Sequence, residues 1–312
     1  MIVGAVDIGG TKVGVGAVDD QGRVLSTSQS LTGQDCEYSR GLELITGMLH
    51  GCAQSSGMEM SGIGIGSTGP VHPFSGEFGD IDFLPKWRGR NLVTDLARIF
   101  KVPVAIENDA DAGALGEAGW GAGESKARLI FITIGTGIGG GIILDGRLYR
   151  GVDQSHPELG HQVLDPSGPL CSCGFRGCWE SLAAGPAMAS WFQAEAPPDY
   201  PERKGITAKR ICELAAEGDE FALSAVRREA TYLGLGLANL INLFTPDAIV
   251  LSGSVMKSSA LFLDGIRETI REGCRFVPFE KTELLMASLG EHANLIGAAM
   301  VWHHRFENQL LT

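Results

Sequence analysis

The chain has 312 residues, 44% hydrophobic and 20% charged, a balance that reads as an ordinary globular protein long enough for two domains. Its formal net charge of −12 repels phosphate backbones and anionic lipid, so neither nucleic acid nor membrane is an expected partner. No apolar run has the length of a membrane span and Met1 leads straight into a strand-like segment. No signal peptide is therefore expected, and the odd count of seven cysteines fits a reducing, cytoplasmic setting.

Residues 2–26, IVGAVDIGGTKVGVGAVDDQGRVLS, read as a strand, a tight glycine loop, a second strand, a turn at Asp20-Gln21-Gly22 and a third strand. The loop Gly9-Gly10-Thr11-Lys12 follows a strand that carries Asp7. Glycines let a backbone approach a ligand closely, and successive amides in such a turn form an anion-binding nest. Thr11 adds a hydroxyl donor and Lys12 a charge. Asp7 is placed to hold a hydrated Mg²⁺ beside a phosphate, since that ion keeps several waters and takes one or two carboxylates.

Next come an expected helix over 42–55, a strand over 62–66 and a loop through Gly69-Pro70. A helix over 91–100 and a strand over 102–106 follow. Strands alternating with helices of this length specify α/β architecture. Asp109 stands just after the strand, where such sheets place their sites. Two readings of it stay open: it shares a face with Glu107 if the strand runs on, or it caps the next helix.

Residues 128–151, RLIFITIGTGIGGGIILDGRLYRG, repeat the layout of 2–26, with Asp145-Gly146 at the turn, and read as an internal duplication of the hairpin unit. The loop from Gly135 through Thr136 and Gly137 to Gly141 satisfies G-x-G-x-x-G. A dinucleotide fold needs a helix directly after such a loop, and here the chain continues as a strand. Two phosphate-binding hairpins are the better reading, with plain hairpin turns as the alternative.

His161, Cys171, Cys173 and Cys178 lie within eighteen residues. One imidazole and three thiolates suit a closed tetrahedral zinc site. The plainer reading is unconnected cysteines with an incidental histidine. Glu158 and Glu180 flank the cluster, so a metal would fix two carboxylates nearby. Beyond it lie an exposed loop over 195–205 and a helical stretch over 206–244 broken at Glu217-Gly218-Asp219. A strand over 248–252, a helix ending near Gly273 and a closing helix over 293–304, packing back on the first domain, complete the chain. His72, His156, His303 and His304 are read as loop or solvated residues.

Together these segments resemble the ROK family of sugar kinases within the actin/hexokinase-like ATPases. DIGGTK (7–12) looks like the first phosphate motif, TIGTGIGGG (133–141) the second, and NDA (108–110) the catalytic-base motif. ELGH (158–161) with CSCGFRGCWE (171–180) resembles the zinc loop. PDAIVLSGSV (246–255) is similar to the adenosine motif and LIGAAM (295–300) to the closing helix.

The resemblance implies an α/β, two-lobed actin-like (ribonuclease H-like) fold of duplicated domains with a cleft between them. Residues 1–118 with 297–312 would form the small lobe and 119–296 the large one. It implies an ATP-dependent hexose kinase acting on a 6-hydroxyl, glucose first, with fructose and N-acetylhexosamines as rivals and a non-catalytic sugar-binding regulator as another class. Asp109 would be the general base. Asn108, Asp109, Glu158, His161 and Glu180 would bind sugar, though Glu158 alternatively supports the metal ligands. Asp7, Gly9, Gly10, Thr11, Lys12, Gly135, Thr136, Gly137 and Gly253 would serve ATP and Mg²⁺, Zn²⁺ would be structural, and a homodimer is expected. The residues 83–87, where the family has a sugar-side loop, are left out of the site.

Two departures stand out. Ser252-Gly253 replaces the paired glycines of the adenosine motif, and SHPE (155–158) replaces the commoner GGE-like start of the zinc loop. Repressors of the family carry a DNA-binding segment before the first loop. With that loop beginning near residue 7, none is expected here.

Overall fold

A computed structural model describes residues 1–33, 35–81 and 84–307. Backbone contacts divide it into two compact units: Met1–Phe131 with Gly141–Pro157 and Ala287–Thr312, and Ile132–Gly140 with Glu158–Met286. Residues 141–157 and 287–296 thus pack with the beginning of the chain.

In the first unit, β1 (Ile2–Ile8), β2 (Lys12–Asp19) and β3 (Val24–Leu31) form an antiparallel meander. Strands β4 (Met60–Ser67) and β5 (Val104–Asn108) add parallel to β1, giving the order β3-β2-β1-β4-β5. The second sheet, β10-β9-β6-β7-β8, repeats that order when read from its other edge. It comprises β6 (Leu129–Ile134), β7 (Ile138–Leu144), β8 (Arg147–Leu148), β9 (Ala248–Ser252) and β10 (Glu283–Met286). The duplication read from the two hairpins therefore extends to whole five-stranded sheets.

The sequence of β4, MSGIGIGS, explains how the first sheet is covered. Side chains alternate across a strand. Ile63 and Ile65 enter the core with Ile45, Leu49, Phe78, Trp87, Leu92 and Leu96, under α1 (Tyr38–Ser56) and α2 (Leu92–Phe100). The opposite face carries glycines. A Cβ on Gly64 would lie 1.9 Å from the carbonyl oxygen of Ala298, and one on Gly62 1.9 Å from Trp302 Nε1. Glycine is what lets α9 (Ala293–Phe306) lie directly on the strand backbone, burying Leu295, Ala298, Ala299 and Trp302 against Val3, Ala5 and Val18. Each large apolar side chain so buried contributes about 1.5–3 kcal/mol. Helix α3 (Asp109–Trp120) meets α9 the same way, since a Cβ on Gly116 would lie 2.9 Å from Gly297 Cα.

Helix α1 starts four residues before the expected position 42. The Tyr38 hydroxyl donates to Asp95 Oδ2 at 2.7 Å, and Trp87 packs edge-on to Tyr38 across Gly41. Those long-range contacts, invisible to local periodicity, draw the first turn forward.

In the second unit the helical stretch breaks where expected. Helix α6 (Ala208–Ala216) ends before Gly218, at φ 92°, and the Asp219 carboxylate caps α7 (Glu220–Phe244) by accepting from the Ala222 amide at 2.8 Å. Such a cap stabilises by about 1 kcal/mol. Helix α8 (Leu263–Gly273) packs on α7. Two short helices, α4 (Trp179–Ala183) and α5 (Gly185–Glu195), and strand β10 are additions to the elements expected from sequence. Among the described residues no helix is long and apolar enough to cross a membrane.

Candidate active site

The first unit gathers carboxylates at the C-terminal ends of β1 and β5, on either side of β4. Asp7 is in register with Gly66 on β4, and Gly66 with Glu107 on β5. Asp7 Oδ2 accepts from Asn294 Nδ2 at 3.0 Å, at the start of α9. Burial pushes the Asp7 carboxyl up; the Asn294 bond and Lys12 pull it back. After Ile8 the hairpin turns tightly, with the Gly9 amide donating to the Lys12 carbonyl at 3.0 Å and Thr11 and Lys12 exposed.

Strand β5 stops at Asn108 and Asp109 opens α3, so the strand-alternation reading of Glu107 and Asp109 does not apply. The capping residue is Asn108. Its Oδ1 and that of Asp109 both accept from the Ala110 amide at 2.8 Å. A Cβ on Gly66 would lie 3.9 Å from Asp109 Cα, so Asp109 sits beside the strand that neighbours Asp7. Burial raises the Asp109 carboxyl above its ordinary value, the Ala110 amide and His156 oppose this, and Asp111 adds to it. A carboxylate with raised proton affinity at a helix start suits a general base. Glu107 is engaged instead by two guanidiniums, Arg150 and Arg305 Nη2, the latter at 2.8 Å.

The second unit places the other predicted residues around the second glycine loop. The Gly185 amide donates to the Gly135 carbonyl at 2.8 Å, and the Ile138 amide donates to Glu180 Oε2 at 3.0 Å. A Cβ on Gly137 would lie 2.4 Å from that same oxygen, so Gly137 and Glu180 fit as a pair. Gly253 has φ 99°, and a Cβ there would lie 2.2 Å from the Ile134 carbonyl oxygen. Ser252 ends β9 without positive φ. The departure from paired glycines thus falls on the position that tolerates a side chain. A cavity of about 740 Å³ opens here, lined by Gly135, Thr136, Gly185, Ala189, Lys209 and Ser254. A hollow of about 570 Å³ between β3 and α1, lined by Ser26, Arg40, Glu43 and Met48, contains no candidate site residue.

His161, Cys171, Cys173 and Cys178 converge, their donor atoms all within 4.8 Å of one another. His161 Nδ1 stands 3.5 Å from Cys171 Sγ, and Cys173 Sγ 3.5 Å from Cys178 Sγ. A zinc tetrahedron with Zn–S bonds of about 2.3 Å has edges of roughly 3.8 Å, so the donor set fits that ion, and the sulfurs are too far apart for a disulfide. The knuckle closes through Gly177, at φ 70°, whose amide donates to the Pro169 carbonyl at 2.9 Å. It delivers fully buried Trp179 onto Gly236 of α7 and Glu180 onto the glycine loop. Glu158 and His161 bracket a short 3-10 turn whose Gly160 lies against the Ile138 carbonyl. Phe83, in the sugar-side segment set aside above, lies outside the described residues.

Three features escaped the sequence reading. Asn294, one residue before the closing-helix motif, orients Asp7. Glu107 binds two arginines far apart in the chain. His156, read as a loop residue, has Nδ1 2.9 Å from Asp111 Oδ2. The unusual SHPE was the one available signal for it.

The ROK family model matches residues 3–305. A glucokinase of Streptomyces coelicolor is 36% identical over 310 residues, covering 94% of this chain and 95% of the relative. A xylose repressor of Bacillus subtilis is 36% identical over 69% of this chain and 54% of its own length. Among solved structures, a ROK family glucokinase from Streptomyces griseus in complex with glucose and AMPPNP superposes with a TM-score of 0.78 at 35% identity. It covers 96% of this chain and 98% of its own. With the glycine hairpins, the Asn108-Asp109 turn and the histidine–cysteine knuckle in place, the chain belongs to the ROK family.

Proposed function

We propose that the chain is an ATP-dependent sugar kinase that transfers the γ-phosphate to the 6-hydroxyl of a hexose, with glucose as its substrate. The observation that carries this reading is Asp109, a solvent-accessible carboxylate opening α3 whose proton affinity is raised by desolvation, in a unit that also holds Asp7 beside a glycine hairpin. The likeness to glucokinases over almost the full chain supports it.

Asp109 accepts the proton of the sugar hydroxyl as the oxygen attacks the γ-phosphorus, and ADP leaves with the bridging oxygen. Phosphoryl transfer asks chiefly for positioning and charge neutralisation. Asn108 holds the turn that aims Asp109. Glu158, His161 and Glu180 are assigned to the sugar hydroxyls, and Glu180 also holds the second glycine loop through Ile138. Thr136, Gly135, Gly137 and Gly253 are assigned to the nucleotide, with the 740 Å³ cavity as its adenosine pocket. Gly9, Gly10, Thr11 and Lys12 are assigned to its phosphates. Asp7, steadied by Asn294, would hold Mg²⁺, which when bound neutralises phosphate charge. His161 and the three cysteines would hold Zn²⁺ as a scaffold for Glu180. A cytoplasmic homodimer completes the reading.

A coupled ATP-to-ADP assay over glucose, fructose, mannose, allose, N-acetylglucosamine and N-acetylmannosamine tests it. Glucose is expected to give the highest kcat/KM, and Asp109→Asn to lower kcat by about 10²–10⁴-fold. The repressor relatives supply the second reading, a sugar-binding regulator. Sugar binding without turnover in metal-replete protein would favour it.

A further inference from the structure

Resting on the assignment of Asp109 as base, we infer that His156 is a positioning residue for it, a cation anchored on Asp111 that keeps the base ionised. Asp109 and Asp111 occupy the first turn of α3. Asp111 is 2% exposed. Its Oδ2 lies 2.9 Å from His156 Nδ1, an ion-pair contact rather than an aligned hydrogen bond, and its Oδ1 is buried with no hydrogen-bond partner. Gly141 closes over that oxygen, since a Cβ there would lie 2.9 Å from it. A buried carboxylate so enclosed favours an imidazolium beside it, because removing both charges from water is tolerable only when they pair.

The need for such a cation follows from the charge inventory around the base. Asp7 faces Asp109 from β1 and Asp111 from its own helix, and both repel its ionised form. Glu107 on β5 lies close enough to feel Asp111 but is matched by Arg150 and Arg305. Lys12 on β2 acts on Asp7. His156 is the cationic side chain that acts on Asp109 itself. Desolvation first, and the neighbouring carboxylates after it, raise the proton affinity of the base, and His156 opposes them. His156 therefore extends the working range of the base toward acid. It does so through Asp109, without itself handling the transferred proton.

The sign follows directly. The base works ionised, so kcat falls as pH drops through the pKa of Asp109 in the complex, and a nearby cation moves that limb to lower pH. The test is the pH profile of kcat for wild type, His156→Gln, His156→Lys and Asp109→Asn, each checked for fold by circular dichroism. His156→Gln is expected to move the acid limb up by about one pH unit. KM for the sugar should stay within about twofold, and His156→Lys should return the limb toward wild type. An unmoved limb in a folded His156→Gln variant, or a limb that moves equally in His156→Lys, overturns the role of charge. Undiminished kcat in Asp109→Asn overturns the assignment of the base on which the inference rests.

Discussion

The two glycine hairpins share a strand order but not a means of support. In the first, the loop after Ile8 is held through its own carbonyls, the Thr32 amide donating to Thr11 at 3.0 Å and the Thr68 amide to Ile8 at 2.9 Å, and Asp7 is oriented from outside the sheet by Asn294. In the second, the loop is propped on three sides: by Glu180 on the Ile138 amide, by the Gly185 amide on Gly135, and by Gly253 against Ile134. Duplication reproduced the scaffold and left the chemistry to diverge. The first unit collected carboxylates, and the second a cavity of about 740 Å³ beside a loop that Glu180 holds.

If the first hairpin carries charge handling, Asp7→Asn should cost about 10²–10³-fold in kcat while leaving thermal stability near wild type. A loss confined to stability would break the contrast.

Acid pairing offers a second way to sharpen it. Glu107 in the first unit is ion-paired with Arg150 and Arg305, whereas Glu229, fully buried in α7, feels the charge of Arg228 but has neither oxygen hydrogen-bonded among the described residues. Burial pushes it up to about 8. Its folded value lies above the unfolded one, so its contribution to stability is complete below about pH 4.5 and declines as pH rises toward 8. Glu229→Leu should flatten that decline, gaining on the order of 3 kcal/mol at pH 8 relative to pH 5 in urea titrations. Parallel curves for the two proteins would show that Glu229 finds a partner.

Next in size is the knuckle. One zinc per chain is expected by elemental analysis. Cys178→Ser should lose it and raise the sugar KM about 10–100-fold, because Glu180 is delivered by the residues that follow Cys178. Full metal occupancy in that variant would remove Cys178 from the ligand set.

The smallest effects separate two adjacent residues. Gly253→Ala should destabilise by about 1–3 kcal/mol and raise the KM for ATP, since φ is left-handed and the new methyl meets backbone. Ser252→Gly should stay within about 1 kcal/mol. Equal effects at both positions would mean that the paired-glycine pattern matters for some other reason.

Much of this was legible beforehand, for identifiable reasons. Hairpin loops and the histidine–cysteine knuckle are local in sequence, so spacing reports them. The break before α7 was readable because Gly218 and Asp219 are stop and start signals in their own right. Helix α5 was hidden because Gly185-Pro186 opens it, a pair that reads as a turn although proline is well suited to a first helical turn. Strand β10 is four residues long and only half-buried, too little for alternation to register. Asn294 with Asp7, Arg305 with Glu107, and His156 with Asp111 join residues brought together only by the fold. Each partner taken alone looks like an ordinary polar residue.

The glycine stripe of β4 also bears on the order of synthesis. Gly62, Gly64 and Gly66 leave one face of the first sheet bare, and the helix that fits it, Ala293–Phe306, is the last described element to leave the ribosome. A nascent chain carrying all five strands of that sheet still exposes Val3, Ala5 and Val18, and it lacks Asn294 to orient Asp7. The sheet face beside Asp7 is therefore closed only after residues 293–306 have been made, so Asp7 gains its Asn294 partner long after its own strand has formed.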